Sequence, residues 1–221
     1  MRKRIVVLLS MLFLTGAIVG CTEEIATIST SNDYSLANDL KEMTSKADVI
    51  VLGSYQGYLY SENGDRDMDD PSKESSNSYS ETKVYAFEVD EVLKGDVPKN
   101  INVNLHYSWT EDDLRDEEGN PIKLTIKSEM FVKPKLSNKY VLFLNKAEFT
   151  DGYVSASLPF EIRINEQNKA VLHLGSGENE TIVQDENGKK YRIVQESIDL
   201  YEDKITGKDL KELIQEIEQY K

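Results

Sequence analysis

Ile101-Asn102-Val103-Asn104-Leu105-His106-Tyr107 is the stretch that decides the fold. Ile101, Val103, Leu105 and Tyr107 alternate with Asn102, Asn104 and His106. A period of two is the signature of a strand with one face buried and one face in water. The same reading extends to both sides. Ile122, Leu124 and Ile126 alternate with Lys123, Thr125 and Lys127, and Thr82 to Leu93 sets Tyr85, Phe87 and Val89 on one face. Val49-Ile50-Val51-Leu52 and Tyr140-Val141-Leu142-Phe143-Leu144 are apolar on both faces, which predicts fully buried strands. Shorter strands are expected at 153–158, 160–164, 170–174, 181–183 and 191–194. The turns between them include Lys94-Gly95-Asp96-Val97-Pro98 and the hairpin Asn187-Gly188. Only the two ends carry helical spacing. Leu36, Leu40, Met43 and Ala47 follow a capping Ser35, and Leu210, Leu213, Ile214 and Ile217 follow a capping Thr206. The sequence therefore predicts one mainly β, antiparallel domain over 35–221, with a short N-terminal helix and a C-terminal amphipathic helix over 206–221.

The N-terminus has a different grammar. Arg2, Lys3 and Arg4 precede an apolar run from Ile5 to Leu14, and small residues follow, as in a secretory signal. The run is shorter than the roughly 20 residues of a membrane span. Ile18-Val19-Gly20-Cys21 resembles the bacterial lipobox. That resemblance implies cleavage between Gly20 and Cys21, diacylglycerol on the Cys21 sulfur, and a location on the extracytoplasmic face of the cell membrane. Residues 21–34, polar and unpatterned, are expected to be a tether. Cys21 is the only cysteine, so an intramolecular disulfide is ruled out. Three of the 26 basic residues and none of the 40 acidic ones lie in residues 1–20, which leaves 23 against 40, a balance of −17. Such a surface repels nucleic-acid phosphates and favours cations or a basic partner.

Three segments carry a family resemblance. They are Ala47-Asp48-Val49-Ile50-Val51-Leu52-Gly53, then Tyr85-Ala86-Phe87-Glu88-Val89 running into Val92-Leu93-Lys94-Gly95, then Lys139 to Leu144 ahead of Asp151-Gly152-Tyr153. Over about residues 36–158 the chain resembles the netrin-like domain, the OB-type barrel shared with the tissue inhibitors of metalloproteinases. Small Firmicute lipoproteins look similar. The resemblance implies a closed or partly open five-stranded barrel. The inhibitory function of that family, which needs a free N-terminal cysteine, is not implied, because Cys21 would be lipidated and the family's disulfides are absent.

Chemistry is sparse. The two histidines, His106 and His173, stand in none of the Gly-x-Ser-x-Gly or His-Glu-x-x-His contexts that nucleophilic or zinc catalysis uses, so a solvated or packing role is expected of each. Two acidic stretches stand out. Residues 61–74 carry Glu62, Asp65, Asp67, Asp69, Asp70 and Glu74 against Arg66 and Lys73, and residues 110–121 carry Glu111, Asp112, Asp113, Asp116, Glu117 and Glu118 against Arg115. If the first four strands form an up-and-down meander, both stretches leave the barrel at one end. Asp65, Asp67, Asp69, Asp112 and Asp113 would then form an acidic rim flanked by Tyr60 and Trp109. The rim suits a protein partner or a cation. Asp65-Arg66-Asp67-Met68-Asp69 has alternating oxygens like a Ca²⁺ loop, but Asp70 and Ser76 stand where an EF-hand needs Gly and Glu. The plainer alternative is a solvated loop. Tyr55, Tyr58, Tyr60, Tyr79 and Tyr85 form either a stacking face or the cover of strand edges.

The expected function is that of a lipid-anchored extracytoplasmic binding protein without enzymatic activity or cofactor. The alternatives are an envelope hydrolase using carboxylates and a small solute-binding lipoprotein.

Overall fold

The computed structural model describes residues 25–30, 35–115, 119–173, 180–195 and 202–221. Gly20 and Cys21 of the lipid-attachment reading lie outside these residues. So do 31–34 of the expected tether and Asp116, Glu117 and Glu118 of the second acidic stretch. The elements are, in chain order, β1 (Ala26–Thr30), α1 (Leu40–Lys46), β2 (Val49–Asn63), β3 (Ser80–Lys94), β4 (Asn100–Arg115), β5 (Pro121–Lys127), β6 (Lys139–Lys146), β7 (Tyr153–Ser155), β8 (Glu161–Ile164), β9 (Ala170–Leu172), β10 (Glu180–Gln184), β11 (Lys190–Gln195) and α2 (Leu210–Gln219).

Five strands close a ring. β2 pairs antiparallel with β3, β3 with β4, and β6 with both β2 and β7; β7 meets β4 in one parallel pairing, Val103 with Tyr153. The fold is thus mainly β and largely antiparallel, with a five-strand ring in its large sheet. Closure rests on the two segments that are apolar on both faces. Val49 to Gly53 run against Leu144 to Tyr140, with Ile50 opposite Phe143. Alternate residues then enter two different cores. Val49, Val51 and Tyr55 with Tyr140, Leu142 and Leu144 fill the ring interior alongside Tyr85, Phe87, Ile101, Val103 and Leu105. Ile50, Leu52, Val141 and Phe143 point outward and are covered by Leu40 and Met43 of α1, Leu213 and Ile217 of α2, and Ile162 of β8. Each fully buried aliphatic side chain contributes roughly 1.5–3 kcal/mol. A third core joins the period-two face of β5 (Ile122, Leu124, Ile126) to Tyr191 and Ile193 of β11, in the small sheet β1-β11-β10.

The structure corrects the local reading at four places. Ala26–Thr30, placed in the tether, is a strand paired parallel with β11 from Ala26 opposite Tyr191 to Thr30 opposite Gln195. Its alternation was too short and polar to register until β11 offered an edge. The first helix starts at Leu40, capped by Asp39, whose Oδ1 accepts from Glu42 N at 2.7 Å; Ser35 and Ala37 instead bond to the backbone of Leu158. The last helix starts at Leu210 with Asp209 at its cap, because the Thr206 hydroxyl accepts from Leu172 N of β9 (3.0 Å) and so fastens the helix approach to the sheet. Asn104, expected on a wet face, is only 5% exposed.

Gly53 lies at a register shift between β2 and β3. A Cβ there would stand 2.1 Å from the Glu88 carbonyl oxygen and 2.6 Å from the Phe87 ring. Gly53→Ala must push these strands apart, with an expected loss of about 2 kcal/mol or more and a Tm lower by roughly 4–8 °C. Gly57→Ala, whose Cβ would meet nothing within 4 Å, is the control and should leave the thermal melt unchanged.

Candidate functional site

The antiparallel order of β2, β3, β4 and β5 puts the two acidic stretches at one end of the meander. Thr110 N donates to Tyr79 O (2.9 Å), and a small hollow there is lined by Asn63, Ser75 to Tyr79, Thr110, Asp112 and Lys123. Of the five proposed rim residues, Asp112 alone lines that hollow. Asp112 and Asp113 are not loop residues, since β4 continues to Arg115 with a register irregularity between Glu111 and Leu114.

The first acidic loop is organised from within. Asp67 Oδ1 accepts from the backbone N–H groups of Asp69 and Asp70, both at 2.9 Å. The Asp70 carboxyl is held below its usual range by Lys73, with further help from Ser72. Asn63 is the hub. Its amide donates to Ser75 O and Ser78 O while its Oδ1 accepts from the N–H of Asp65 and of Ser80, and the residue is 5% exposed. These carboxylates and amides satisfy backbone groups that the loop would otherwise leave open. Among the described residues no group of three His, Cys, Asp or Glu side chains is placed to hold a metal ion. The tyrosines divide as well. Tyr55 and Tyr85 are buried in the ring, whereas Tyr58, Tyr60 and Tyr79 are exposed.

A second place, which the sequence did not single out, combines shape with chemistry. The edge of β6 pairs with β7 at Leu144 to Lys146 and with β8 at Lys139 to Leu142, and residues 156–160 bridge the interval with a cis Leu158–Pro159 peptide. A cleft of ≈ 140 Å³ opens at this break in the ring wall. Its apolar lining comes from Leu105, Met130, Phe131, Val132, Leu158 and Phe160. Its polar lining includes Asn104, Ser128, Ser155 and Glu161, together with both histidines of the chain. Phe131 is held in place by an edge-to-face contact with Tyr107 (4.8 Å), over which Lys83 Nζ sits at 3.2 Å from the ring centroid.

Glu161 is a buried carboxyl whose state the fold alters strongly. It is 6% exposed and accepts a hydrogen bond from Tyr55 OH (3.1 Å). Burial, opposed by that bond and by Arg163, pushes its carboxyl up to about 7. Burial also holds the His173 imidazole below its usual range, with Arg163 and Lys135 adding to the effect. His106 is exposed and stacks on Trp109 at 5.8 Å. Asn104 donates to Thr150 Oγ1 (2.8 Å) and to Asp151 O (3.4 Å), while its Oδ1 is buried without a hydrogen-bond partner. The sequence signal for the cleft was faint: an acid and a base alternating with apolar residues in a short strand, Glu161-Ile162-Arg163-Ile164.

Comparison with known proteins finds no matching family model, no similar curated protein and no similar solved structure.

Two outcomes are expected. Asn63→Ala removes the hub of residues 64–79 and should cost about 1–3 kcal/mol. Hydrogen exchange should then accelerate at the amides of Asp65 and Ser80; unchanged protection there would contradict the hub. The second concerns Glu161, which in the unfolded chain releases its proton near 4.5 and in the folded chain keeps it to about 7. Between those values the folded state binds the extra proton, so rising pH costs stability, on the order of 3 kcal/mol once pH exceeds 7. Glu161→Gln keeps an acceptor for Tyr55 and removes the charge. Its stability advantage over wild type should be absent below pH 4.5, grow towards 7 and level off above. Urea melts across that range check it, and a pH-independent difference would refute the assignment.

Proposed function

We propose that this protein is a lipid-anchored extracytoplasmic binding protein whose ring carries its ligand in the side cleft. The observation that carries the reading is the preformed cleft at the β7–β8 break, where a mostly apolar lining surrounds a few polar groups, the usual composition of a ligand site. Its polar groups are tied into the fold in a manner suited to holding rather than reacting. Ser157 Oγ donates to Pro159 O (3.3 Å), and Glu161 is engaged by Tyr55. The acidic loop supports the same preference, because Asp67 and Asp70 are engaged in their own backbone. This leaves the rim as a source of long-range field favouring cations or a basic partner. Anchoring is supported by the lipobox-like Ile18-Val19-Gly20-Cys21. Two acyl chains, at about 0.8 kcal/mol for each buried methylene, hold a domain far better than one. Among the described residues no helix is long and apolar enough to cross a membrane.

One experiment addresses both halves. Wild type, Cys21→Ser and a variant with Ser155→Phe in the cleft are expressed in a bacterial host, fractionated by detergent phase separation and cross-linked in intact cells. Cys21→Ser should move from the detergent phase to the aqueous phase, and its retention in detergent would dismiss the lipid anchor. The Ser155→Phe variant should stay membrane-bound and lose the captured ligand or partner. Loss instead upon neutralising Asp65, Asp67, Asp69, Asp112 and Asp113 to Asn would transfer the function to the rim.

A further inference from the structure

The short reach of the anchor decides which face of the domain meets the membrane, given the lipid on Cys21 proposed above. We infer that the small sheet β1-β11-β10 rests on the bilayer, with the turn between β10 and β11 and the outer face of these strands against the lipid headgroups.

β1 begins at Ala26, five residues after Cys21. Five residues span at most about 18 Å even when fully extended. A folded chain of about 200 residues is roughly 40 Å across, so a tether of that reach cannot let a distant face turn to the bilayer. β1 is itself held in place. It pairs with β11 along its whole length, and its Ala26 and Ile28 pack against the core formed by β5 and β11.

The parallel register sets Ala26 beside Tyr191 and Thr30 beside Gln195. Gln195 Nε2 donates to Lys127 O of β5 (3.3 Å), which fastens that end of the sheet to the ring. The Ala26 end lies about 13 Å away along the strand. The β10–β11 turn stands just beyond it, since Val183 pairs with Tyr191 and Gln184 with Lys190. Anchor and turn therefore leave the sheet at the same end.

Tyr191 and Ile193 are buried in the core, so strand alternation puts Lys190 and Arg192 on the outer face. Arg192 pairs across to Ile182, which is 57% exposed. Lys189, Lys190 and Arg192 are all exposed. An exposed aliphatic side chain among long basic ones suits the headgroup boundary, where apolar stems lie low and the charges reach phosphates. The acids nearby are disposed differently. Asp185 is drawn into its own turn, where its Oδ1 accepts from the N–H groups of Asn187 and Lys189, both at 2.9 Å. Glu180 lies at the far end, opposite Val194. Over residues 180–195, Lys189, Lys190 and Arg192 balance Glu180, Asp185 and Glu186, against −17 for residues 21–221. The small sheet is thus a neutral face on an acidic protein, and an anionic leaflet repels it less than the rest of the surface.

The test uses the full lipidated chain in vesicles of phosphatidylethanolamine and phosphatidylglycerol that carry a headgroup spin label. With the Cys21 sulfur acylated, a newly introduced cysteine takes a fluorophore selectively. Asn187→Cys reports the β10–β11 turn. Asp96→Cys reports the β3–β4 turn, at the other end of β4 from its pairing with β5. Quenching should be several-fold stronger in Asn187→Cys than in Asp96→Cys. Adding Ile182→Asp and Arg192→Glu, at exposed positions, should weaken quenching in Asn187→Cys while vesicle binding and the thermal midpoint persist. Equal quenching at the two turns, stronger quenching in Asp96→Cys, or no effect of the two added substitutions would overturn the inference and leave the anchor intact. Fluorophore uptake by the unaltered chain, together with loss of vesicle binding, would show Cys21 to be free and remove the anchor on which the inference rests. Disulfide-linked dimers of Asn187→Cys without quenching would overturn it in favour of a second copy on this face.

Discussion

The pairing of Val49–Gly53 with Tyr140–Leu144 is the contact on which the rest of the structure depends. Both segments are apolar on both faces, so neither can lie at a solvated surface. Joined edge to edge, they make a wall whose inner face needs a filled ring and whose outer face needs a cover. The ring interior answers the first need. The helices α1 and α2, with β8 and β9, answer the second. The two short helices therefore owe their place less to intrinsic propensity than to an apolar sheet face that must be covered, as is usual for helices of seven to ten residues.

Within the ring, Tyr55 links packing to chemistry. Its ring makes edge-to-face contacts with Tyr85, Phe87 and Tyr140, with centroids 5.9, 5.0 and 5.1 Å away. A tyrosine buried this deeply must find a partner for its hydroxyl. Glu161, 106 residues further along the chain, supplies it, which brings a carboxyl into the apolar interior at the start of β8. Burial there raises the proton affinity of that carboxyl, and the hydrogen bond from Tyr55 offsets part of the rise.

The acidic end of the molecule works on a different scale. Its carboxylates and amides hold their own loop together, and its net charge acts at a distance through solvent, where it is screened within about 8–10 Å at physiological salt. The cleft is a local feature, a mostly apolar hollow with a few polar groups in the ring wall. Under the binding role proposed above, the two regions would contribute different things, a field at one end and a shaped contact in the ring wall.

Much of this was legible in the residues. The period of two in Ile101–Tyr107 and Ile122–Lys127 appears as β4 and β5. The doubly apolar runs appear as β2 and β6, and Leu210 to Ile217 as the amphipathic α2, because hydrophobic periodicity is a local property that burial merely selects. The mainly β class and the two-sided burial of the central strands were therefore determined by sequence alone. Tertiary structure decided which strand edges met, that Ala26–Thr30 would find β11, that Asn104 would be buried, and that His106, His173 and Glu161 would line one cleft. Those outcomes depend on contacts between distant parts of the chain, and a pattern that repeats every two residues carries no information about which distant edge a strand will join.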